Sequence, residues 1–215
     1  VTRRAVDLSL YVVTDTGLCG QRGVPATVAA AVAGGATMVQ LRDPGATDAD
    51  FVALGLAVRE MLVGTGVPLI VDDRIHLVEA IGADGVHVGQ RDMPPSQARQ
   101  LLGQDAIVGL SVSTIEQVSA ARGLGDGVLD YLGAGPVWPT GTKPDHGAPI
   151  GPDGAAAVAA ASAWPVVAIG GVTTERAGAL RQTGVAGVAV VSAVCAAEDS
   201  AVAAASLRAA WDGQQ

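Results

Sequence analysis

The sequence predicts an α/β fold: a single (β/α)8 barrel of the TIM-barrel type, with a parallel eight-stranded core, over residues 1–215 as one domain. Three observations predict it. Short apolar runs alternate with longer alanine-rich stretches from end to end, and eight such units follow one another without a break in composition. Similar segments mark the passage from helix to strand: Gly34-Gly-Ala-Thr-Met-Val, Gly82-Ala-Asp-Gly-Val-His-Val, Gly125-Asp-Gly-Val-Leu-Asp and Gly184-Val-Ala-Gly-Val-Ala-Val. Glycine at such a point supplies the left-handed helix end. Aromatic residues make up only 3% of the chain, so the core must be built from small aliphatic side chains, as in a parallel sheet covered by helices. An open, doubly wound sheet is the competing arrangement. No G-x-G-x-x-G segment follows the first strand, which lowers a dinucleotide-binding reading.

The strands are expected at Leu8–Val13, Met38–Leu41, Leu69–Val71, Val86–Val88, Ile107–Leu110, Leu129–Leu132, Val166–Ile169 and Val188–Val191. Helices are expected near Ala26–Ala33, Asp48–Val63, Ile75–Ile81, Pro95–Leu102, Ile115–Arg122, Asp153–Ala161, Thr174–Gln182 and Ala201–Trp211. Ser113 and Glu116 have capping-box spacing, and Thr173 or Thr174 can cap the seventh helix. A loose loop is expected around Gln21–Gly23.

Charge and cysteine usage exclude several classes. The net charge is −8 with no basic cluster, which disfavours nucleic acid as a partner. No apolar run is long enough to span a membrane, and Arg3 and Arg4 precede a short strand-like segment rather than a secretory leader, so a cytoplasmic protein is expected. Cys19 and Cys195 match no metal spacing and read as free thiols of a reducing compartment.

In such barrels chemistry sits at the C-terminal ends of the strands. Polar residues collect there: Asp15, then Gln40 and Arg42, Asp72 and Asp73, Gln90 and Asp92, Ser111 and Ser113, Thr140 to Lys143, Gly170 and Gly171, and Ser192. Gln40 and Arg42 are two apart and share a strand face, where polar groups are costly unless paired or bound. A surface pair of Arg42 with Asp43 is the plain alternative. Asp73 and Asp92 follow adjacent strands and can converge on one hard cation beside phosphate oxygens, although each alone also reads as a helix cap. His87 reads as a satisfied interior residue. Trp138 either walls a ligand or packs its loop. Lys143 is the single lysine among twelve arginines, in a loop of glycines, prolines and hydroxyls. That loop reads either as a phosphate-binding segment or as a tight surface turn.

The segments Gln40-Leu-Arg42, Val71-Asp-Asp-Arg74, Gly85-Val-His-Val-Gly-Gln-Arg-Asp92, Gly109-Leu-Ser111, Gly133-Ala-Gly-Pro-Val-Trp-Pro-Thr-Gly-Thr-Lys-Pro144, Ala168-Ile-Gly-Gly171 and Val191-Ser192 carry a resemblance. In order and spacing they resemble the thiamine phosphate synthases over nearly the whole chain. The resemblance implies a (β/α)8 transferase that joins 4-amino-2-methyl-5-(diphosphomethyl)pyrimidine to 4-methyl-5-(2-phosphoethyl)thiazole, giving thiamine phosphate and pyrophosphate. It implies Mg2+ on Asp73 and Asp92. Gln40, Leu41, Arg42, Asp43, Pro44, Asp72, Ser111 and Lys143 would line the pyrimidine diphosphate. Thr140, Gly141, Thr142, Gly171, Val191 and Ser192 would hold the thiazole phosphate. Arg42, Lys143 and Ser111 would be the catalytic groups. The implied partners are these two small phosphorylated substrates, with a homo-oligomer left open. Two positions depart from the family pattern. Pro44 stands where the pattern has lysine, and Asp72 where it has asparagine, a local change of as much as two charge units toward the negative. A related thiazole tautomerase and a non-catalytic sensor of the same phosphates are the alternative readings.

Overall fold

The computed structural model describes residues 6–142 and 147–213. The chain runs β1 (Leu10–Val13), α1 (Thr16–Cys19), α2 (Val24–Ala33), β2 (Met38–Leu41), α3 (Asp48–Leu62), β3 (Leu69–Asp72), α4 (Val78–Ile81), β4 (Gly85–Val88), α5 (Pro95–Leu102), β5 (Ile107–Val112), α6 (Ile115–Arg122), β6 (Tyr131–Ala134), α7 (Gly151–Ala161), β7 (Val166–Ile169), α8 (Thr174–Leu180), β8 (Gly187–Val190), α9 (Ser192–Cys195) and α10 (Ser200–Asp212). The strands form one closed barrel in sequence order. Each pairs in parallel with the next, and β8 closes on β1 through Leu10 opposite Val188.

Strand alternation sorts the side chains into two apolar layers. Val12, Val39, Leu41, Val71, Val86, Val108, Leu132, Ala168 and Val188 face outward and pack under the helices. Tyr11, Met38, Ile70, Ile107, Tyr131, Val167 and Ala189 fill the barrel. The two interior tyrosines and His87 fit because two strand positions beside them are glycines. A Cβ on Gly109 would lie 2.2 Å from Tyr131 Cζ and 2.5 Å from His87 Nδ1, and one on Gly133 would lie 3.1 Å from His87 Cε1.

Several local features differ from the sequence expectation. The sixth strand begins at Tyr131, not Leu129; at the preceding Asp130 the carboxylate accepts the Val108 N–H at 2.8 Å and Arg99 at 2.6 Å. Thr114, not Ser113, caps α6, accepting the Gln117 N–H. Ser113 instead donates its hydroxyl to the Gly135 carbonyl at 2.7 Å. Thr173 occupies the N-cap of α8 without a side-chain capping bond. Ile75–Ile81 divides into a 3-10 turn and α4. The segment expected to be loose around Gln21 is a 3-10 turn, Gly20–Arg22, tied by Arg22 to the Ala197 and Glu198 carbonyls and to Ser200. The four-residue helices α1 and α9 are too short to leave a periodicity. They bring Cys19 and Cys195 close together: both thiols are free and buried, and the Cys195 thiol donates to the Val13 carbonyl at 3.5 Å. Among the described residues no helix is long and apolar enough to cross a membrane.

Arg99 is buried between α5 and the strand ends. Its guanidinium donates to the carbonyls of Val128 and Gly103 and to the Asp130 carboxylate, which also receives the β5 amide of Val108. Removing the cation leaves a buried carboxylate without its counter-charge. Arg99→Leu is therefore expected to lower unfolding stability by about 3 kcal/mol, read from the urea midpoint. A loss below about 1 kcal/mol would show that this pair is not a structural tie.

Candidate active site

A cavity of about 530 Å³ opens at the C-terminal ends of the strands, a volume suited to a small ligand. Gln40, Arg42, Asp43, Pro44, Asp72, Asp73, Asp92, Ser111, Thr140, Thr142, Gly171, Val191 and Ser192 all border it. The ends of seven strands, β2 to β8, thus bring together residues spread over some 150 positions of sequence. Leu41 is not among them. It is one residue from Gln40 and so faces outward, buried in the layer beneath the helices. Gly141 lies between Thr140 and Thr142 without bordering the cavity. Lys143 lies outside the described residues.

The cavity floor is a continuous hydrogen-bond chain across the barrel. Gln40 Nε2 on β2 donates to the Tyr11 hydroxyl on β1 at 2.7 Å. The Tyr11 and Tyr131 hydroxyls are 2.9 Å apart, Tyr131 Oη is 2.9 Å from His87 Nδ1, and His87 Nε2 is 2.8 Å from Ser111 Oγ. Taking the Gln40 amide nitrogen as donor, one polarity satisfies every link: Gln40 to Tyr11, Tyr11 to Tyr131, Tyr131 to His87 Nδ1, and His87 Nε2–H to Ser111. The Ser111 hydroxyl then keeps its own proton for a ligand. His87 is the satisfied interior residue expected from the sequence, and it also reaches the site through Ser111. The two tyrosines were missed. The available signal was that they are the only tyrosines in the chain and that both fall in strands where the other inward residues are small.

The rim is electrostatic. Arg42 Nε lies 3.4 Å from Asp72 Oδ2 and its NH1 4.0 Å from Asp15, so its partner is Asp72 and not the neighbouring Asp43. Asp43 instead accepts from the Thr16 hydroxyl at 2.7 Å and the Gly45 N–H at 3.1 Å. Arg74 is held by Asp48 at 2.9 Å and by the Ala46 carbonyl at 2.7 Å, and it stacks over Phe51. Asp73 follows β3 with φ 57°, the only non-glycine residue with positive φ among those described. That conformation is uncommon outside glycine, although aspartate adopts it more readily than most residues. Arg74, not Asp73, occupies the N-cap position of the following turn. Asp92 accepts the Gly89 N–H through Oδ2 at 2.7 Å.

Two carboxylates following β3 and β4 suit a hard divalent cation that takes its remaining oxygens from phosphate and water. Among the described residues no group of three or more His, Cys, Asp or Glu is arranged to enclose a metal. On the opposite side, Gly170 and Gly171 (φ 100° and 64°) turn the chain after β7 against Pro136 and Trp138. The Trp138 N–H donates to the Gly170 carbonyl, and Arg176 stacks on the indole while donating to the Gly171 carbonyl. Trp138 therefore packs its loop. Ser192 begins α9 beside this turn and also borders the cavity.

The sequence model of one family, thiamine monophosphate synthase, matches residues 10–194. The thiamine-phosphate synthase of Azorhizobium caulinodans is 48% identical over 202 residues, 94% of each chain. That of Psychrobacter sp. is 45% identical over 192 residues, 89% of this chain and 90% of the relative. Among solved structures, a thiamine phosphate pyrophosphorylase from Pyrococcus furiosus superposes with a TM-score of 0.85 at 36% identity, covering 97% of both chains.

Burial pushes both tyrosine hydroxyls well above their ordinary acidity range, and for Tyr131 the neighbouring Tyr11 adds to the effect. An unfolded tyrosine ionises near pH ~10. With the folded value raised, the stability these groups contribute is complete below pH ~10 and falls as pH climbs toward the folded values. Tyrosinate absorbance is therefore expected to stay flat through pH ~10 and to rise only as the protein unfolds. Ionisation of either tyrosine near pH ~10 in protein that keeps its native circular dichroism would refute the buried chain.

Proposed function

The chain belongs to the thiamine monophosphate synthase family, and from that premise we propose how its cavity works. The reaction joins the aminopyrimidine methyl diphosphate to the thiazole ethyl phosphate, forming thiamine phosphate and releasing pyrophosphate. The observation that carries the reading is the placement of Gln40 and Ser111 at the two ends of one buried hydrogen-bond chain, below a rim of arginines and aspartates.

Gln40 and Ser111 hold the pyrimidine ring, whose nitrogens and amino group match an amide and a hydroxyl. Arg42, Asp43, Pro44 and Asp72 border the diphosphate, with Lys143 as a further cation. Asp73 and Asp92 are the residues for Mg2+, which when bound supplies positive charge to the diphosphate oxygens. Thr140, Gly141, Thr142, Gly171, Val191 and Ser192 hold the thiazole phosphate. The pyrimidine amino group feeds electron density into the ring, so the methylene–oxygen bond breaks early and leaves a pyrimidine methyl cation. The thiazole nitrogen then attacks with its own lone pair. No protein base is required. Arg42, Lys143 and Ser111 act by position and charge, and one such donor contributes ~3 kcal/mol to lowering a barrier.

Asp72, the position that departs from the family pattern, supports this reading through its partner. Its carboxylate lies against Arg42, so the added negative charge is offset within the rim. The substrates are small phosphorylated molecules, and the protein acts as a transferase.

Incubating the protein with both synthetic substrates and Mg2+ is expected to yield thiamine phosphate and pyrophosphate in equal amounts. Thiazole isomerisation without coupling would assign the tautomerase reading instead, and saturable binding without turnover the sensor. Asp92→Ala is expected to raise the Mg2+ concentration needed for half-maximal rate by about tenfold or more, the scale on which one lost charged contact acts. An unchanged metal titration would remove Asp92 from the metal site.

A further inference from the structure

Seven charged side chains border the cavity among the described residues: Arg42, Arg74, Arg91, Asp43, Asp72, Asp73 and Asp92. Aspartates outnumber arginines, although both substrates are anionic. Two of the three arginines are already committed. Arg42 lies between Asp72 and Asp15, and Arg74 between Asp48, the Ala46 carbonyl and the face of Phe51. Pro44, beside Arg42, is exposed and carries no charge.

Arg91 is different. It is exposed on the loop after β4, and no described residue hydrogen-bonds, ion-pairs or stacks with its guanidinium. Its backbone is nonetheless positioned from both sides. The Gln90 amide donates to the Ser111 carbonyl at 2.7 Å, and the Asp92 carboxylate closes the loop onto the Gly89 N–H at 2.7 Å. An uncommitted guanidinium is thus set on a fixed loop at the mouth of a cavity for phosphorylated ligands. A guanidinium presents paired donors that match phosphate oxygens in a bidentate fashion.

We propose that Arg91 is a substrate-binding residue that clamps the terminal phosphate of the pyrimidine diphosphate and retains the pyrophosphate product. The assignment rests on the function proposed above. Position selects the diphosphate over the thiazole phosphate. Arg91 adjoins Asp92 on the β4 side, whereas Gly171, Val191 and Ser192 follow β7 and β8, on the far side of the barrel. Arg91 therefore supplies at the β4 rim the positive charge that Pro44 does not supply at the β2 rim.

The test is steady-state kinetics on Arg91→Ala, Arg91→Lys and the double variant Arg91→Ala/Pro44→Lys, with each substrate varied separately and pyrophosphate as product inhibitor. Arg91→Ala is expected to raise KM for the pyrimidine diphosphate about tenfold and to weaken pyrophosphate inhibition by a similar factor, as for one lost charge-assisted contact. KM for the thiazole phosphate is expected to stay within about twofold. Arg91→Lys and the double variant are expected to recover part of the loss, since each returns a cation to the rim. An unchanged KM for the pyrimidine diphosphate, or a shift confined to the thiazole phosphate, overturns the proposal. So does a folded double variant with no recovery, because a structural role of the loop would then explain the loss. Absence of coupling by the unaltered protein would defeat the functional reading itself, whereas coupling that is indifferent to Arg91 defeats only this assignment.

Discussion

Everything in the site depends on the hydrogen-bond chain buried inside the barrel. Eight short parallel strands enclose a space that side chains must fill, and most of it is filled here by aliphatic groups. At one level the filling is polar: Tyr11, Gln40, His87, Tyr131 and Ser111 meet in a single connected run. A buried hydroxyl or imidazole without a partner costs about 1–3 kcal/mol, so such a level is tolerable only when every link is made. Among the described residues no buried side-chain nitrogen or oxygen lacks a partner. The run also ties β1, β2, β4, β5 and β6 together at their inner faces. It therefore fixes the orientation of the two groups at its ends, Gln40 and Ser111, both of which border the cavity.

Above this floor the electrostatics are arranged in pairs rather than as a positive patch. Asp72 accompanies Arg42, and Asp48 accompanies Arg74. Such pairing keeps guanidinium groups in place at a partly buried mouth without charging the empty site strongly. It also means that an anionic substrate meets an environment close to neutral. The divalent cation proposed for Asp73 and Asp92 would complement such a substrate. The left-handed backbone at Asp73 belongs to the same design. It turns the chain sharply at the end of β3, where its N–H reaches the His87 carbonyl at 3.0 Å.

Much of this was legible in the sequence because it follows from periodicity. Strand and helix alternation gave the barrel, and α5 and α6 coincide with their expected spans because Pro95 and the glycine-bounded ends punctuate them. The positions of Gln40, Arg42, Asp73, Asp92 and Ser111 around one mouth follow once strand ends are taken as the active face. What was not legible depends on contacts between distant strands. The inward turn of Tyr11 toward Tyr131, 120 residues later, leaves no local trace. Nor does the choice of Asp72 over Asp43 as the partner of Arg42, because both are close in sequence or register. Leu41 was carried into the site only by its neighbours, and strand alternation explains why it lies outside. Cys19 and Cys195 meet because β8 closes on β1, a consequence of ring closure rather than of spacing.

Gly109 and Tyr131 illustrate a further consequence. They sit opposite each other on β5 and β6, and the phenol ring occupies the volume that a side chain at 109 would need. The two positions share one parcel of space. Enlarging the first requires shrinking the second, yet the second carries the hydroxyl that links Tyr11 to His87. Shape and polarity are thus enforced by the same atoms, so neither position can drift alone. A change in this layer therefore calls for a coordinated exchange across neighbouring strands, whereas a side chain at the exposed rim, such as Pro44, meets no such limit.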